Sequence, residues 1–496
     1  MKQNISLKKL FLISSAVVVL LEPVAAQSPE PENPEIGLLY AEEKAVEKVL
    51  QSGIQHGTLT SDHPFITALT LAYQQNSNLL AKIREQYSVH EDVSIARSGF
   101  LPSLSVTSSV GKNWQAVESP PPGGAALSRP TSASVTLKQS LYAGGSTLAN
   151  TKAAEIGVHA GLESFRSTEQ DVLLSAVQVY LDLWYKRAAV ELKKTQVKVL
   201  EKTLEQALAQ AEVGEKTLTD VSQAKSALAQ AKSELIAAAQ DAKTAEGSYI
   251  NTIGSPPTDL TPPPALDEAM DTPKTKEEAI KKANKDHPNV VSANYSLAAA
   301  KKGVDVREGL LLPSVDLNAN AGRDLQSRGA HSRSNSAQAT VSLTVPILNG
   351  GGSDWANLRK AYHAEAQKRV EARKALQQST ANAISAWESW VGAKNRIAQL
   401  TVQVQAAELS VQGARQESLV GERTLLDALI TEQNLVTAQT ELVKAQRDYL
   451  IAGYTLLSAM GSMTARNLKL PTTQHDVQGH YDLVNDRWFG TAGTDY

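Results

Sequence analysis

Four stretches of the chain alternate apolar and polar residues with a period of two, and each is flanked by segments with the three-to-four spacing of helices. Through Leu104-Ser105-Val106-Thr107-Ser108-Ser109-Val110-Gly111 the apolar residues fall largely on even positions. Between Ser132 and Leu141, Ala133, Val135, Leu137 and Leu141 share one face, and Ser134, Thr136, Lys138 and Ser140 the other. Val315, Leu317, Ala319 and Ala321 oppose Asp316, Asn318 and Asn320, while Ala339, Val341, Leu343, Val345 and Ile347 oppose Thr340, Ser342 and Thr344. Each run is about ten residues, the length of a tilted strand crossing a bilayer. A soluble sandwich alternates in the same way, but hydroxyl, amide and charged side chains on the second face suit a wet lumen. Four strands cannot close a barrel, since the smallest membrane barrels need about eight, and an open edge cannot be satisfied in hydrocarbon. A lipid-facing sheet therefore requires strands from more than one copy, two copies supplying eight and three supplying twelve.

The helical segments are of very unequal length. Pro64 and Pro288 suit the first turn of a helix, with Asp62 and Asp286 before them as candidate caps and His63 and His287 reading as capping residues at repeat-equivalent positions. Helical patterning runs from there to about Ser98 and Gly309. From Gly145 to Val213, and again from Gly351 to Val420, there is no proline and helix formers dominate, which is roughly 100 Å of helix at 1.5 Å per residue. Each long segment turns at a Val-Gly-Glu-Lys/Arg-Thr sequence and returns. The first return carries Leu218, Val221, Ala224, Leu228, Ala231, Leu235, Ala238, Ala242, Ala245 and Tyr249 at alternating spacings of three and four. The second carries Leu425, Ala428, Thr431, Leu435, Ala438, Leu442, Ala445, Tyr449, Ala452 and Leu456. This is a coiled-coil seam with left-handed supercoiling, and its many alanines imply thin, close helix packing with no thick core.

The halves are copies of one another. Val213-Gly214-Glu215-Lys216-Thr217-Leu218-Thr219-Asp220 reappears as Val420-Gly421-Glu422-Arg423-Thr424-Leu425-Leu426-Asp427 at an offset of 207. Leu101-Pro102-Ser103-Leu104 matches Leu312-Pro313-Ser314-Val315, and Leu141-Tyr142-Ala143-Gly144-Gly145 matches Ile347-Leu348-Asn349-Gly350-Gly351. Ordered matches at slowly drifting offsets indicate an old duplication. The repeats are read as 62–254 and 286–461.

Composition sharpens this picture. The 496 residues would allow about three ordinary domains, yet five Phe and 5% aromatic content are sparse for several globular cores. The absence of cysteine excludes a disulfide scaffold, a thiolate metal site, cysteine catalysis and a cysteine-anchored lipoprotein. A formal charge of −3 excludes a basic nucleic-acid footprint. Lys2, Lys8 and Lys9, then an apolar run from Leu10 to Leu21 and Val24-Ala25-Ala26, form a secretory signal over 1–26, too short in its apolar part to span a bilayer.

With the duplication, Leu-Pro-Ser before a strand, Leu-Tyr-Ala-Gly-Gly and Ile-Leu-Asn-Gly-Gly after one, and Val-Gly-Glu-Arg-Thr-Leu-Leu-Asp at the second hairpin, the chain resembles the TolC family of outer-membrane channels over about 62–461. The resemblance implies a mainly α fold with membrane β: a homotrimer sharing a 12-stranded barrel that stands on a coiled-coil tunnel in the periplasm. It makes 27–61 an N-terminal periplasmic segment, 255–285 an equatorial linker and 462–496 an equatorial tail. It implies an exit duct for type I secretion or efflux, without enzymatic activity or cofactor. The partners would be a periplasmic adaptor, an inner-membrane ABC or RND-type transporter and outer-membrane lipid, not nucleic acid. By motif match Asp220 and Arg423 would pair to shut the periplasmic entrance, Asp427 would form an acidic constriction ring, and the turns at Gly214 and Gly421 would dock the adaptor. Two positions depart from the family pattern: Ser418 stands where a gate tyrosine is common and Ile430 where a second aspartate is common, which implies a weaker latch and weaker cation binding.

Other candidates are weak. The nine histidines form no H-x-x-x-H pair, so no metal site is expected. Gly144-Gly145-Ser146-Thr147 lacks the lysine of a phosphate loop and reads as a strand-to-helix turn. Trp184, Trp355, Trp387 and Trp390 read as packing residues on helices. The segments 120–124 and 323–337 read as extracellular loops, and the tail after Leu470, with His475 and His480, as irregular. The competing functions are a stand-alone porin and a periplasmic structural coiled coil.

Overall fold

The computed structural model of the chain describes residues 62–116, 125–264, 272–325, 333–473 and 475–484, with 487 and 490. The signal expected at 1–26, the segment 27–61 and the loop at 120–124 lie outside the described residues. Helices α1 (Pro64–Gln75) and α2 (Ser77–Arg97) lead through a short 3-10 turn into strand β1 (Ser103–Val110). A small hairpin, β2 (Asn113–Ala116) with β3 (Ala125–Ser128), precedes β4 (Thr131–Ala143). Then come α3 (Ser146–Glu212) and α4 (Leu218–Ile253), the first long pair. The second half runs α5 (Lys276–Asp286), α6 (Pro288–Gly309), β5 (Ser314–Leu325), β6 (Arg333–Thr344), α7 (Ser353–Leu419) and α8 (Leu425–Ala459), and α9 (Val477–Val484) follows. Among the described residues no helix is long and apolar enough to cross a membrane.

β1, β4, β5 and β6 form one antiparallel sheet in that order. Its register turns the one-dimensional alternation into two faces. Leu104, Leu137, Ala319 and Ala339 stand in one cross-strand row, and Val106, Val135, Ala321 and Ala337 in the next. The opposite face carries Ser103, Lys138, Asn318 and Thr340, then Ser105, Thr136, Asn320 and Gln338. The apolar side is open: Leu104 is 68% exposed, Val106 74% and Val341 63%. β1 and β6 are the free edges. Two expectations change here. A register shift between Ser140 and Tyr142 brings Tyr142, not Leu141, opposite Val315, because a bulge moves every later side chain by one place. Residues 323–325 and 333–337, expected in a loop, belong to β5 and β6 and pair as Arg323 with Asn335 and Asp324 with Ser334, so the hairpin is longer than its Ser/Arg-rich composition suggested.

The two 67-residue helices α3 and α7 run the full height of the helical part and belong to two layers. Near the sheet α3 lies between α2 and α6, with α7 beyond α6; lower down it lies between α4 and α8, with α7 beyond α8. The return-helix seams behave as their spacing predicts: Ala224, Leu228, Ala231, Ala245 and Tyr249 are buried on α4, and Leu425, Ala438, Leu442, Ala445, Tyr449 and Leu456 on α8.

Where the layers meet, the wall is not thin. Phe65 lies edge-on to Tyr180 at 5.2 Å and against Tyr454 at 5.4 Å, and Trp390 stacks over Tyr449 at 6.3 Å, within an apolar core that gathers α1, α2, α3, α4, α5, α7, α8 and the residues after Met460. The coreless tube expected from the alanine seams is therefore corrected at mid-height, because four interrupted helices end there and their ends must be covered. The few aromatics concentrate at that level. Trp184 and Trp390 are buried, whereas Trp355, at the top of α7, is 54% exposed. The linker after Ile253 is tied down by Tyr180, whose hydroxyl donates to the Thr261 carbonyl at 2.8 Å and accepts from the Thr261 N–H at 3.1 Å.

The repeat boundary also moves. The expected linker 255–285 contains α5, and α5 with α6 lies along α7 as α1 with α2 lies along α3. The second unit thus begins near Lys276 rather than Asp286. The two Asp-His-Pro motifs are one helix out of step: Pro64 opens the first helix of its unit, Pro288 the second. In both, the cap is the histidine rather than the aspartate, with Nδ1 accepting the N–H of Phe65 or of Asn289 at 3.2 Å.

The strand-to-helix turn expected at Gly144 is where the repeats touch backbone to backbone. Gly144 has φ +61° and Gly145 φ +82°, and Ser146 Oγ donates to the Ala143 carbonyl at 2.7 Å. A methyl group at Gly144 would overlap the Gly309 carbonyl oxygen. Gly144→Ala combines a left-handed backbone with a backbone clash and should cost about 1–3 kcal/mol, read as a lower melting midpoint of the folded protein by circular dichroism.

Candidate functional site

The tips of the two long hairpins are built by the same local rules. α3 ends with the Glu215 N–H bonded to the Gln210 carbonyl at 2.9 Å and the Gly214 N–H to the Ala211 carbonyl at 3.2 Å, a Schellman closure that requires a left-handed residue. Gly214 supplies it with φ +84°, and Gly421 does the same with φ +81°. The chain then starts α4 with a capping box. Thr217 Oγ1 accepts the Asp220 N–H at 3.2 Å, and an Asp220 carboxylate oxygen accepts the Thr217 N–H at 2.9 Å and its hydroxyl at 2.8 Å. At α8, Thr424 Oγ1 accepts the Asp427 N–H at 3.2 Å and donates to the Asp427 carboxylate at 2.7 Å.

Within one chain the three expected gate residues are held by their own hairpins. The two hydrogen bonds from Thr217 hold the Asp220 carboxyl below its ordinary value. Arg423 engages Glu417 across its own turn at 3.3 Å rather than Asp220. All of these side chains are accessible at the open end of the molecule. Ser418 lies in a groove of about 180 Å³ with Arg415, Lys216 and Glu432, and Ile430 is 51% exposed.

Behind the tips a set of polar contacts ties the helices together, some within one hairpin and some between the two. Arg415 on α7 reaches Glu432 on α8 at 2.8 Å, with the Glu432 side chain only 10% exposed. Lys193 on α3 pairs with Glu234 on α4 at 2.7 Å, and Gln433 on α8 accepts from the Gln196 amide on α3 and also bonds Glu234. Higher up, Arg447 on α8 reaches Asp182 on α3 at 2.6 Å and lies 5.0 Å from the Tyr185 ring centroid. Sequence reasoning missed these residues. Gln196, Glu432 and Gln433 each interrupt an apolar face, and that interruption was the available signal.

Two consequences are measurable. Asp220 has a depressed value in the fold, so its contribution to the α4 cap is complete above about pH 4 and is lost as pH falls below that. Thr217→Ala should remove about 1 kcal/mol of cap stability at neutral pH, seen as faster amide exchange over the first turn of α4. Arg415→Met leaves Glu432 largely buried without that ion-pair partner, and should cost about 2 kcal/mol given that Arg415 itself is partly exposed, read in the same exchange experiment as loosening of the α7–α8 end.

The chain matches the family model described as outer membrane efflux protein over residues 68–255 and 279–462. The two matches begin inside α1 and α5, the equivalent helices of the two repeats. It is 32% identical over 450 residues to the outer membrane efflux protein BepC of Brucella suis, covering 90% of this chain and 96% of BepC. It is 22% identical over 410 residues to the outer membrane protein TolC of Vibrio cholerae, covering 80% of this chain and 90% of TolC. Its fold superposes on the outer membrane channel CmeC of Campylobacter jejuni with a TM-score of 0.73 at 14% identity, over 87% of this chain and 93% of CmeC. A duplicated helix–sheet–hairpin chain with an exposed apolar sheet face, matched along most of its length, belongs to the outer membrane efflux protein family, a family of channels rather than enzymes.

Proposed function

We propose that three copies of this chain assemble into a continuous duct, a 12-stranded barrel in the outer membrane on a helical tunnel in the periplasm. This duct carries proteins or small toxic compounds onward from an inner-membrane ABC or RND-type transporter and a periplasmic adaptor. The observation that carries the reading is the four-stranded sheet itself, with an exposed apolar face, a polar opposite face and free edges at β1 and β6. Such a sheet is stable in lipid only when other copies close it. Four strands argue against a porin whose one chain builds the whole barrel, and the exposed apolar face argues against a soluble coiled coil.

In this reading the adaptor meets the tips at Gly214 and Gly421, which are exposed left-handed turns. Asp220 and Arg423 pair between copies rather than within one, and three Asp427 carboxylates converge on the axis to repel anions and hold cations. Purified protein in a planar bilayer tests this directly. Wild type should give an oligomer stable to mild detergent, and a small, cation-selective conductance. Arg423→Ala should raise the current several-fold, and Asp427→Ala should abolish block by multivalent cations. A monomer that never inserts would overturn the duct, whereas currents unchanged in both variants would overturn only the gate assignment.

A further inference from the structure

The apolar face of the sheet ends in cations. The register of the first hairpin runs unbroken from Val110 opposite Thr131 to Asn113 opposite Ser128, and between them the Gly111 N–H donates to the Pro130 carbonyl at 2.9 Å. Lys112 therefore stands opposite Arg129. By the alternation of side chains along a strand, both fall on the face of Leu104, Val106, Val135 and Leu137. On the same face Arg323 lies in the row of Ala133 and Asn335, and Arg333 in the row of Leu325 just beyond it. All four cations are exposed. Among the described residues of the sheet and its hairpin no carboxylate shares this face, because Asp316 and Asp324 both lie on the other.

We propose that this collar, Lys112, Arg129, Arg323 and Arg333 with Trp114 beyond them, binds the phosphorylated sugar headgroup of an outer-leaflet glycolipid. The proposal rests on the reading that the sheet closes into an outer-membrane barrel. The height of the collar fits a headgroup. β5 runs ten residues from Val315, in the lowest apolar row, to Leu325, in the row of Arg333. At about 3.4 Å per residue and a tilt of about 40°, that is roughly 25 Å along the barrel axis, the height of the apolar band of such a barrel. The helices leave the sheet at the Val315 end, where β4 finishes and α3 begins, so the cations mark the outer boundary of the hydrocarbon. Arg323 stands one row lower, and its long apolar stem lets the guanidinium reach up into the headgroup layer.

Charge and shape select the occupant. Lys112 and Arg129 face each other directly, and like charges so placed destabilise a strand pair, a cost that a bound anion offsets. Arg323 and Arg333 are diagonal neighbours across β5 and β6, about 7–8 Å apart, so two planar guanidinium forks can share one phosphate group. The phosphate of a glycerophospholipid would serve these cations alone. Trp114 is 68% exposed and lies two residues beyond Lys112 on the same face. That sets its indole about 5 Å above the phosphate level, with an apolar surface suited to the face of a sugar ring. A phosphate carried on a sugar satisfies both features. The opposite face of the sheet mixes Lys138 with Asp316 and Asp324 and shows no such preference for an anion.

Delipidated full-length protein in detergent, titrated with lipid A and read by native mass spectrometry, tests the collar. Lipid A with both phosphates should bind about tenfold more tightly than its dephosphorylated form or than phosphatidylglycerol. Arg323→Gln with Arg333→Gln, and separately Lys112→Gln with Arg129→Gln, should each weaken lipid A binding about tenfold, whereas Lys138→Gln on the opposite face should leave it unchanged. Trp114→Ala should lower the preference over phosphatidylglycerol. The comparison of lipids on the wild type needs no variant and decides by itself. Equal binding of the dephosphorylated form overturns the collar, and equal binding of phosphatidylglycerol overturns the sugar headgroup as its occupant. Undiminished binding in both double variants also overturns the collar. A wild type that never conducts in a planar bilayer overturns the duct, whereas one that conducts without any phosphate preference overturns the collar alone.

Discussion

A hydrogen-bonding edge cannot be left open in hydrocarbon, and the shape of this chain follows from that constraint. Each copy offers a sheet of four strands whose rows are sorted into an apolar side, with Leu104, Leu137 and Val341, and a polar side, with Lys138, Asn318 and Asn320. Its free edges, β1 and β6, come from opposite halves of the duplication. In the assembly proposed above, the β6 edge of one copy would meet the β1 edge of the next around an axis. Duplication supplies two strands at a time, and the proposed rotational assembly would supply the rest.

The helices answer the same constraint below the membrane. In the proposed barrel the strands would pass into helices at evenly spaced points, and the glycines after β4 and at 350–352 make that turn in left-handed conformations. The contact between Gly144 and Gly309 shows how little space is available, since the exit of one repeat touches the entry of the other. From these points α3 and α7 run past two successive sets of shorter helices. A helix flanked by different partners at its two ends needs a level where the partners change. That level holds the aromatic core around Phe65, Tyr180 and Tyr454, the Tyr180 clasp on the linker and the chain after Met460.

Much of this was legible because it is periodic. Strand alternation, the seams at Leu228 and Leu442, and the Val-Gly-Glu turns are local patterns, and local patterns survive in one dimension. What could not be read was non-periodic or came from distant pairing. The bulge at Ser140 and Tyr142 leaves no mark in an alternating sequence until a partner strand fixes the register. The Asp-His-Pro pair misled because similar capping sequences serve any helix start, so identity of motif did not mean identity of place. The tail was read as irregular because a helix as short as α9 carries little periodic signal, and its rings find Tyr87 and His90 only in three dimensions. The turns at Gly214 and Gly421 and the caps at Asp220 and Asp427 were placed by their motifs, whereas the only trace of Gln196, Glu432 and Gln433 is a polar residue breaking an apolar face, which does not say which distant helix it meets.

The tips also show one carboxylate carrying two demands. Asp220 caps α4, and the same hydrogen bonds that stabilise the helix start keep the group ionised and fix its orientation. A fixed anion is a better ion-pair partner than a freely rotating one, because less side-chain entropy is lost on pairing. Arg423, by contrast, lies on a turn and is already engaged by Glu417, so any pairing with Asp220 exchanges one exposed carboxylate for another at small net gain. An entrance of the kind proposed, closed by such exchanges, would rest near balance. The deeper contacts tie the hairpins to each other as well, Gln433 bonding both Gln196 and Glu234 and Arg447 bridging Asp182 and Asp448, so each holds more than one partner at once.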